Sequence, residues 1–101
     1  MAKTCSIERN DKRVNLTKKH AKKRAALKAI INNKELPMED RFQATLKLAE
    51  MPRNGAKIRI RNRCELTGRS RGHFRKFKLS RNALRKLALH GELPGVTKSS
   101  W

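Results

Sequence analysis

Positive charge is the feature that most limits how this chain can fold. Its 101 residues include 27 lysines and arginines against 8 aspartates and glutamates, a formal net charge of +19 at pH 7. Charge of one sign repels itself in a compact state unless something neutralises it. Leu, Ile, Val and Phe together number 21, which lies at the edge of the composition of chains that fold alone. We therefore expect at most one domain, without a large self-sufficient core, and a polyanionic partner.

The charge is spread unevenly along the chain. Residues 1–34 carry a net charge of +9, residues 35–52 a net charge of −2 and residues 53–101 a net charge of +12. The fold class that we predict is mainly α, extended and irregular, in three parts. These parts are an N-terminal helical hairpin made of a basic helix and a second helix over 1–52, a basic extended linker over 53–63, and a small zinc-ribbon-like knuckle without metal, followed by a C-terminal helix and tail, over 64–101.

The first helix is expected to be basic almost all round, and Asn32-Asn33 supplies its stop. Its thin apolar line consists of Ile7, Val14, Ala21, Ala25 and Ala29, with Leu27, Ile30 and Ile31 beside its end. Such a helix buries little area and should fray in isolation.

A second helix is predicted from Pro37, which suits the first helical position, to Pro52, which forbids continuation. Its apolar face consists of Met38, Phe42, Leu46 and Ala49. We expect this face to pack against the Leu27, Ile30 and Ile31 patch of the first helix, as an antiparallel pair joined through Asn32 to Leu36.

From Arg53 onward the pattern changes. Asn54-Gly55 is a turn signal, and residues 57–61 alternate basic and apolar side chains, which predicts an extended segment. Residues 73–79 can form a short strand. Ser80 is a good N-cap for a last helix that ends before Gly91. The buried face of that helix is expected to consist of Ala83, Leu84, Leu87 and Ala88.

The strongest functional signal is the basic density of residues 53–86. This window holds nine arginines and four lysines against Glu65 alone, whereas an ordinary exposed face carries acids between its bases. Arginine bridges phosphate oxygens and stacks on bases, so the preference for arginine favours structured RNA. The candidate RNA-binding residues are Arg53, Lys57, Arg59, Arg61, Arg63, Arg69, Arg71, His73, Arg75, Lys76, Arg81, Arg85, Lys98 and Trp101, together with Lys18, Lys19, Lys22 and Lys23 of the first helix.

Few aromatic side chains accompany this charge. Phe74 and Phe77 are three residues apart, so that on a strand they face opposite sides, one packing in a small core while the other stacks. The sequence leaves open which of the two packs. Trp101 follows Lys98-Ser99-Ser100 at the end of the chain, where burial needs a surface supplied by a partner.

Metal binding and catalysis are not expected. Cys64 and Thr67, with Ser80 and Ala83, have the spacing of a four-cysteine zinc ribbon, but a single thiol cannot hold structural zinc. No paired acids, Gly-rich phosphate loop or His-rich motif is present, so we predict no cofactor, no catalytic residue and no enzyme. His20 and His90 are expected to face solvent or complement a helix end.

The sequence also bears on location and partners. No apolar stretch is long enough for a membrane span or a secretory signal, so the protein is expected to be soluble, not exported, with Cys5 and Cys64 as thiols. The apolar line of the first helix is too narrow for a membrane-active peptide. A nucleoid-type DNA-binding protein remains an alternative, because it too needs small size and high charge. Such a protein should self-associate, whereas no homo-oligomer is expected of an RNA-bound chain.

Several motifs of the chain resemble one known family. They are Arg61-Asn62-Arg63-Cys64, Thr67-Gly68-Arg69, Arg75-Lys76-Phe77, Leu79-Ser80-Arg81, Gly91-Glu92-Leu93-Pro94-Gly95 and Lys98-Ser99-Ser100-Trp101, with Lys23-Arg24-Ala25, Asp40-Arg41 and Leu46-Lys47-Leu48 in the N-terminal half. Together they resemble the S-fourteen family of small-subunit ribosomal proteins, in its long, zinc-independent bacterial form. The resemblance spans the whole chain. Lys78 departs from it, since the family usually has Gly there.

The resemblance implies a structural constituent of the small ribosomal subunit. Such a protein binds 16S-type rRNA in the head, supports assembly of that region near the aminoacyl-tRNA site, and lies beside small-subunit proteins three and ten. Its location is the ribosome of the cytoplasm, or of an organelle if the gene is organellar. The short form of the family binds zinc through four cysteines, and the corresponding positions here are Cys64, Thr67, Ser80 and Ala83.

Overall fold

The computed structural model of the chain describes residues 1–99 and is mainly helical, which confirms the predicted fold class. Its elements are α1 (Thr4–Asn32), α2 (Met38–Glu50), two single 3-10 turns (Arg53–Gly55 and Lys57–Arg59), β1 (His73–Phe74), β2 (Leu79–Ser80) and α3 (Arg81–Leu89). They form two compact units: Glu8–Ile60, and Met1–Ile7 with the chain from Arg61 onward. None of the helices in the described part of the chain is both long and apolar enough to span a bilayer.

The face that α1 turns inward is not its alanine line. Ala21, Ala25 and Ala29 are exposed, and no residue of α1 is fully buried. Most half-buried side chains follow a neighbouring face, among them Thr17, His20, Arg24, Leu27 and Ile31, and Val14 is the one member of the predicted line that is half-buried. The alanine prediction is wrong because larger side chains remove more area from water than methyl groups do.

His20 also differs from its predicted solvent-facing position. It is half-buried, and a Cβ built on the buried Gly55 would lie 3.5 Å from His20 Cδ2. The imidazole ring therefore packs beside a glycine backbone. His20 therefore contributes to packing within the unit Glu8–Ile60.

α1 and α2 are consecutive helices joined by a short turn, as predicted. Asn33 Oδ1 accepts a hydrogen bond of 3.1 Å from Glu35 N in this turn, and Arg41 Nε of α2 donates to Ile31 O of α1 at 3.0 Å. Pro37 is the N-cap of α2 and not its first residue. Helix boundaries shift by a residue in this way without a change in the element.

The predicted packing face of α2 is wrong. Met38, Phe42 and Leu46 are exposed, and Ala44 is the buried residue, with Arg41 and Leu48 half-buried on the same side. The small side chain of Ala44 allows a close approach, and the Arg41 hydrogen bond orients this side inward. The largest apolar side chains of α2 consequently remain in solvent.

The basic segment after α2 is not extended throughout. Residues 57–61 were expected to be extended from their alternating pattern, yet Lys57–Arg59 forms a 3-10 turn directly after that of Arg53–Gly55. Gly55 N donates to Pro52 O at 3.0 Å and Ile60 N to Lys57 O at 3.1 Å. Alternation indicates a strand only where a neighbouring strand accepts its hydrogen bonds, and this segment has none in the described structure.

A tight hairpin replaces the single strand predicted over residues 73–79. β1 pairs antiparallel with β2, with His73 opposite Ser80 and Phe74 opposite Leu79. The chain reverses between them through Lys78, which adopts the left-handed φ of 54° that glycine tolerates best. Position 78, where the resembled family usually has Gly, is therefore one where the backbone conformation favours glycine.

A small core forms between this hairpin and α3. Cys64, Leu79 and Ala83 are buried, and Phe77 packs against them. The other half-buried side chains of the cluster are Leu84, Leu87 and Leu93. Phe74 is exposed, so Phe77 is the phenylalanine that packs.

α3 has the ends that its sequence predicts. Ser80 Oγ accepts from Ala83 N at 3.4 Å as the N-cap. At the other end, Gly91 has a φ of 73° and its N–H donates to Ala88 O, while Glu92 N donates to Leu87 O. These two bonds are those of a Schellman motif, which satisfies the last helical carbonyls.

Replacing Lys78 with Gly should stabilise the hairpin. A side chain at a positive φ costs free energy that glycine avoids, so Lys78→Gly is expected to raise the free energy of unfolding by roughly 1 kcal/mol. The ion pair lost with Lys78 joins it to Glu65 at 3.7 Å in an exposed position and contributes little. Thermal unfolding followed by circular dichroism measures the change. Lys76→Gly, at a negative φ in the same turn, is the control and should lower stability; a Lys78→Gly chain that is no more stable than the original would contradict this account of the turn.

Candidate nucleic-acid interface

A compact loop, residues 61–80, positions the arginines of the C-terminal unit. We call this segment, which begins three residues before the predicted knuckle, the knuckle from here on. Gly68 N donates to Cys64 O at 2.8 Å, and Cys64 N donates to Arg69 O at 2.9 Å. Glu65 N donates to Lys78 O at 3.1 Å, which ties the loop to the hairpin turn. Backbone bonds therefore fix the path of the chain on which the arginine side chains are carried.

Cys64 lies at the centre of the knuckle and is only 3% exposed. Burial by itself raises the pKa of its thiol. Hydrogen bonds from the Thr67 hydroxyl, the Ser80 N–H, the Thr67 N–H and the Ser80 hydroxyl outweigh it and lower the pKa from 9.0 to about 6. Hydrogen-bond donors thus surround the thiolate and stabilise its charge, as a metal ion does in a zinc-binding knuckle.

The side chains at this centre do not fit a zinc ion. The four positions of the ribbon spacing hold one thiol, two hydroxyls and a methyl group, at Cys64, Thr67, Ser80 and Ala83. Zinc prefers thiolate and imidazole ligands, and hydroxyls bind it poorly. Within residues 1–99 no cluster of three or more His, Cys, Asp or Glu side chains could hold a metal. Hydrogen bonds to Cys64 hold this centre together.

Arg63 supports the knuckle from one side. Its Nη1 donates to Gly68 O at 2.9 Å, and the side chain is half-buried. Its Nε is buried with no hydrogen-bond partner among the described residues. Nη1 is therefore engaged within the fold and Nε is buried in it, so the remaining nitrogen, Nη2, is the one that can reach an external group.

The start of the chain packs on the knuckle. Ala2 N donates to Thr67 O at 3.0 Å. Gly68 has a φ of 71°, and a Cβ there would lie 2.8 Å from Ile7 Cδ1 and 3.1 Å from Ala2 Cβ. Only glycine leaves room for this contact. Met1 and Ala2 thereby line one side of a groove.

That groove, of about 440 Å³, brings together three of the predicted RNA-binding arginines. Arg63, Arg69 and Arg71 line it, and α3 begins at its edge, where the N-terminal end of a helix carries partial positive charge. Its other polar lining consists of Thr67, Ser70, Ser80 and Asn82. No acidic side chain lines it among the described residues. An arginine fork binds two oxygens of one phosphate, so the groove suits a nucleic-acid backbone.

A smaller hollow in the same unit joins two further candidates. Arg85 and Lys98 line a hollow of about 150 Å³ together with Leu89 and Val96. Arg81 lies with its methylene groups against Gly72, where a Cβ would be 3.3 Å from them. Arg81 is exposed, as are Arg75 and Lys76 in the hairpin turn. Except for Lys98, which follows α3, these cations lie on the hairpin and α3.

The unit Glu8–Ile60 has a separate basic groove of about 220 Å³. Arg53 and Arg59 line it, with Arg24 of α1. Arg59 Nη1 also donates to Asn54 Oδ1 at 3.2 Å. The candidate lysines of this unit are exposed and line none of the grooves described here, and they are Lys18, Lys19, Lys22, Lys23 and Lys57.

Three of the candidate RNA-binding residues are not among those that line the grooves described above. His73 is half-buried, and its Nδ1 has no hydrogen-bond partner among the described residues, so this nitrogen is turned into the fold. Arg61 is exposed and already takes part in an interaction within the chain. Trp101 lies outside the described residues.

Sequence reasoning missed Arg24, Ser70 and Asn82 as groove residues. Asn82 could have been found, because the predicted N-cap at Ser80 already places it in the first turn of a helix, where anions bind. Arg24 could not, since only the fold brings α1 together with the turns over Arg53–Arg59. Ser70 carried no signal of its own between two arginines.

The whole sequence is similar to known proteins. The sequence model of the family described as "Ribosomal protein S14p/S29e" matches residues 47–100. The chain is 66% identical over 101 residues to the "Small ribosomal subunit protein uS14" of Xanthobacter autotrophicus. It is 63% identical to the protein of the same name from Acidiphilium cryptum and 60% identical to that from Brucella ovis. Each of these matches covers all of both chains.

The pH dependence of stability should reveal the thiolate of Cys64. Because folding lowers its pKa from 9.0 to about 6, its contribution to stability is absent below about pH 6, grows from there to pH 9 and is complete above that. At pH 7 it amounts to roughly 1 kcal/mol. Titration of the thiolate absorbance of a Cys5→Ser chain should show a midpoint near pH 6 that denaturant moves toward 9.

The matched variant carries Cys64→Ser in the same background. Its free energy of unfolding should lose the rise between pH 6 and pH 9 that the parent shows. A native chain whose thiol titrates at the ordinary value of 9.0 would contradict the hydrogen-bonded thiolate.

Proposed function

The chain belongs to the ribosomal protein S14p/S29e family, and on this basis we propose that it binds 16S-type rRNA in the head of the small ribosomal subunit and supports the assembly of that region. Membership gives it a structural, non-enzymatic role in the small subunit, among ribosomal RNA and other ribosomal proteins. It is of the long, zinc-independent type. The observation that carries the proposal is the knuckle groove with its three arginines and no acidic lining.

Recognition would rest on the RNA backbone. Arg69 and Arg71 are carried on a segment whose path is fixed by backbone hydrogen bonds, so binding a phosphate has to order their side chains but not the backbone that carries them. Phosphate contacts give affinity and orientation without reading sequence, and the shape of the folded RNA sets the register. Affinity should consequently fall steeply as salt rises.

A stacking contact would add to this. Phe74 is exposed on β1, while its neighbour in sequence, Phe77, is taken up by the core. An exposed aromatic ring among arginines offers a face for an unstacked base. We assign stacking to Phe74 as part of the proposed RNA contact.

The RNA would also complete the fold. No residue of α1 is fully buried, and the lysines of its outer side repel one another. Binding to phosphates removes this repulsion and supplies a surface for the exposed cations. The protein is thus proposed to be held in its final form by its RNA.

The finer placement follows from the family. We propose a position near the aminoacyl-tRNA site, beside small-subunit proteins three and ten. The location is the ribosome, and we propose the cytoplasm of a bacterium because the relatives named above are bacterial. Family membership argues against the nucleoid-type alternative, which should bind duplex DNA as well as RNA.

Removing two arginines of the groove tests the proposal. Arg69→Ala with Arg71→Ala should weaken binding to a folded fragment of small-subunit rRNA and lower the slope of log affinity against log salt by roughly 1.4 to 1.8, since two phosphate contacts are lost. Filter binding over a salt series measures both quantities. Circular dichroism should show unchanged helix content, because no helix contains either residue.

The control pair removes the same charge elsewhere. Lys34→Ala with Lys47→Ala changes residues that do not line the knuckle groove, so the salt slope should stay close to that of the parent. Equal losses for the two pairs would mean that bulk charge alone binds RNA. Equal competition by duplex DNA would favour the nucleoid-type function instead.

A further inference from the structure

The 3-10 turn after α2 contains an asparagine followed by a glycine. Asn54 is exposed, and Gly55 is buried. In such a pair the backbone nitrogen of the glycine can attack the side-chain amide carbon of the asparagine, because glycine has no Cβ to shield that nitrogen. No other asparagine of the sequence precedes a glycine. Asn54 is therefore the position at which spontaneous deamidation is chemically easiest in this chain.

The folded turn holds this reaction back. Gly55 N donates to Pro52 O at 3.0 Å, so its hydrogen is engaged and the nitrogen is a poor nucleophile. In a 3-10 turn the backbone ψ lies at roughly −20 to −30°, and closing a ring between Gly55 N and Asn54 Cγ requires rotation away from this value. A Cβ built on Gly55 would lie 3.5 Å from His20 Cδ2, so the imidazole packs against the turn. The turn has to open before the two atoms can meet.

We propose that Asn54-Gly55 is a deamidation site, closed by the folded turn and reactive in chains whose turn opens. Hydroxide takes the proton of Gly55 N, and the nitrogen attacks Asn54 Cγ. A C–N bond forms, the bond from Cγ to the side-chain nitrogen breaks, and ammonia leaves with a proton returned by water. A second water hydrolyses the cyclic imide to aspartate or isoaspartate. Overall, water is consumed and ammonia is released, so that no oxidant or cofactor is needed.

Cations around the pair favour the reaction once the turn is open. Arg59 Nη1 donates to Asn54 Oδ1 at 3.2 Å, and Arg53 directly precedes the asparagine. Negative charge develops on Oδ1 as the nitrogen attacks, and a guanidinium at this oxygen stabilises it. Positive charge also favours the deprotonated form of the attacking nitrogen. The contact with Arg59 joins two side chains, so it can persist when the backbone bond of Gly55 opens.

Deamidation changes the basic groove lined by Arg24, Arg53 and Arg59. Aspartate at position 54 keeps an oxygen where Asn54 Oδ1 now lies, 3.2 Å from Arg59 Nη1, and forms an ion pair with that arginine. Isoaspartate adds a methylene to the backbone as well and disrupts the turn. No acidic side chain lines this groove among the described residues, so the new carboxylate is the first to repel a phosphate there.

The consequence concerns chains that are not assembled. RNA bound in the groove keeps the turn closed, because the arginines that hold the phosphates belong to it. A chain without RNA opens the turn, deamidates and loses part of its affinity for RNA. This step rests on the proposed function, whereas the deamidation itself does not.

Ageing of the purified full chain tests the site. The protein is incubated at mildly alkaline pH with and without denaturant, and isoaspartate at each asparagine is measured by peptide mass spectrometry and by an isoaspartate-specific methyltransferase. Asn54 should react about tenfold faster in denaturant, the protection expected from one closing hydrogen bond and the packing on Gly55. Asn62 is exposed but precedes Arg63, so it is the internal control and should stay intact over the same period.

Two variants separate the chemistry from the opening of the turn. Gly55→Ala fits the fold, because its Cβ would make ordinary contact with His20 and no positive φ is required there. Its methyl group shields the nitrogen, so Asn54 should stay intact even in denaturant. His20→Ala removes the packing on Gly55 and should raise the native rate roughly threefold while leaving the rate in denaturant unchanged.

Filter binding to the rRNA fragment tests the consequence. Asn54→Asp should lower the slope of log affinity against log salt by roughly 0.7 to 0.9, the loss of one phosphate contact. Asn33→Asp makes the same change of charge in the turn between α1 and α2, where the aspartate can still accept from Glu35 N. Since Asn33 lines none of the grooves described here, this control should keep the slope of the parent.

The outcomes separate this proposal from the proposed function. Absence of isoaspartate and aspartate at position 54 in denaturant would overturn the site, and equal rates with and without denaturant would overturn its closure by the fold. Binding by Asn54→Asp that equals that of the parent would overturn the consequence for RNA. A parent chain that does not bind the rRNA fragment would overturn the proposed function, while the ageing result, measured without RNA, would stand.

Discussion

Repulsion among basic side chains is the constraint on which this structure depends. With a net charge of +19, the chain gains little from compaction by itself, and its buried apolar residues in the described part are few: Ala44, Cys64, Leu79 and Ala83. Turns and helix caps therefore stabilise the backbone, as a large core does in other proteins. Left-handed glycines close the turns, Ser80 caps α3, and a Schellman motif ends it. These devices hold the backbone while the arginines remain available to an external polyanion.

The centre of the knuckle shows how such a fold is stabilised without a metal. A four-cysteine site binds zinc through thiolates. Here one thiolate remains, at Cys64, and the hydroxyls of Thr67 and Ser80 together with two backbone N–H groups donate to it. Each hydrogen bond to a charged group contributes more than a neutral one does. The same backbone path can thus be kept by polar donors, and the neighbouring arginines keep their positions in the groove.

Local signals in the sequence were reliable, and contacts between elements were not. The two long helices, the Ser80 cap and the end of α3 at Gly91 follow from periodicity and capping chemistry within a few residues. The sequence indicated Leu27 and Ile31 on the inward face of α1, but it could not predict the rest of that face or the Ala44 side of α2, because packing did not use the most apolar lines. The three groove arginines were found by composition, whereas Arg24 entered its groove only through the fold.

The central claim is that this chain is held by the RNA of the small ribosomal subunit. The most direct measurement is sedimentation of the tagged protein from its native lysate through a sucrose gradient, with and without ribonuclease. The account predicts migration with the small subunit in untreated lysate and loss of that migration after ribonuclease. Recovery with DNA, or free at the top of the untreated gradient, would contradict it.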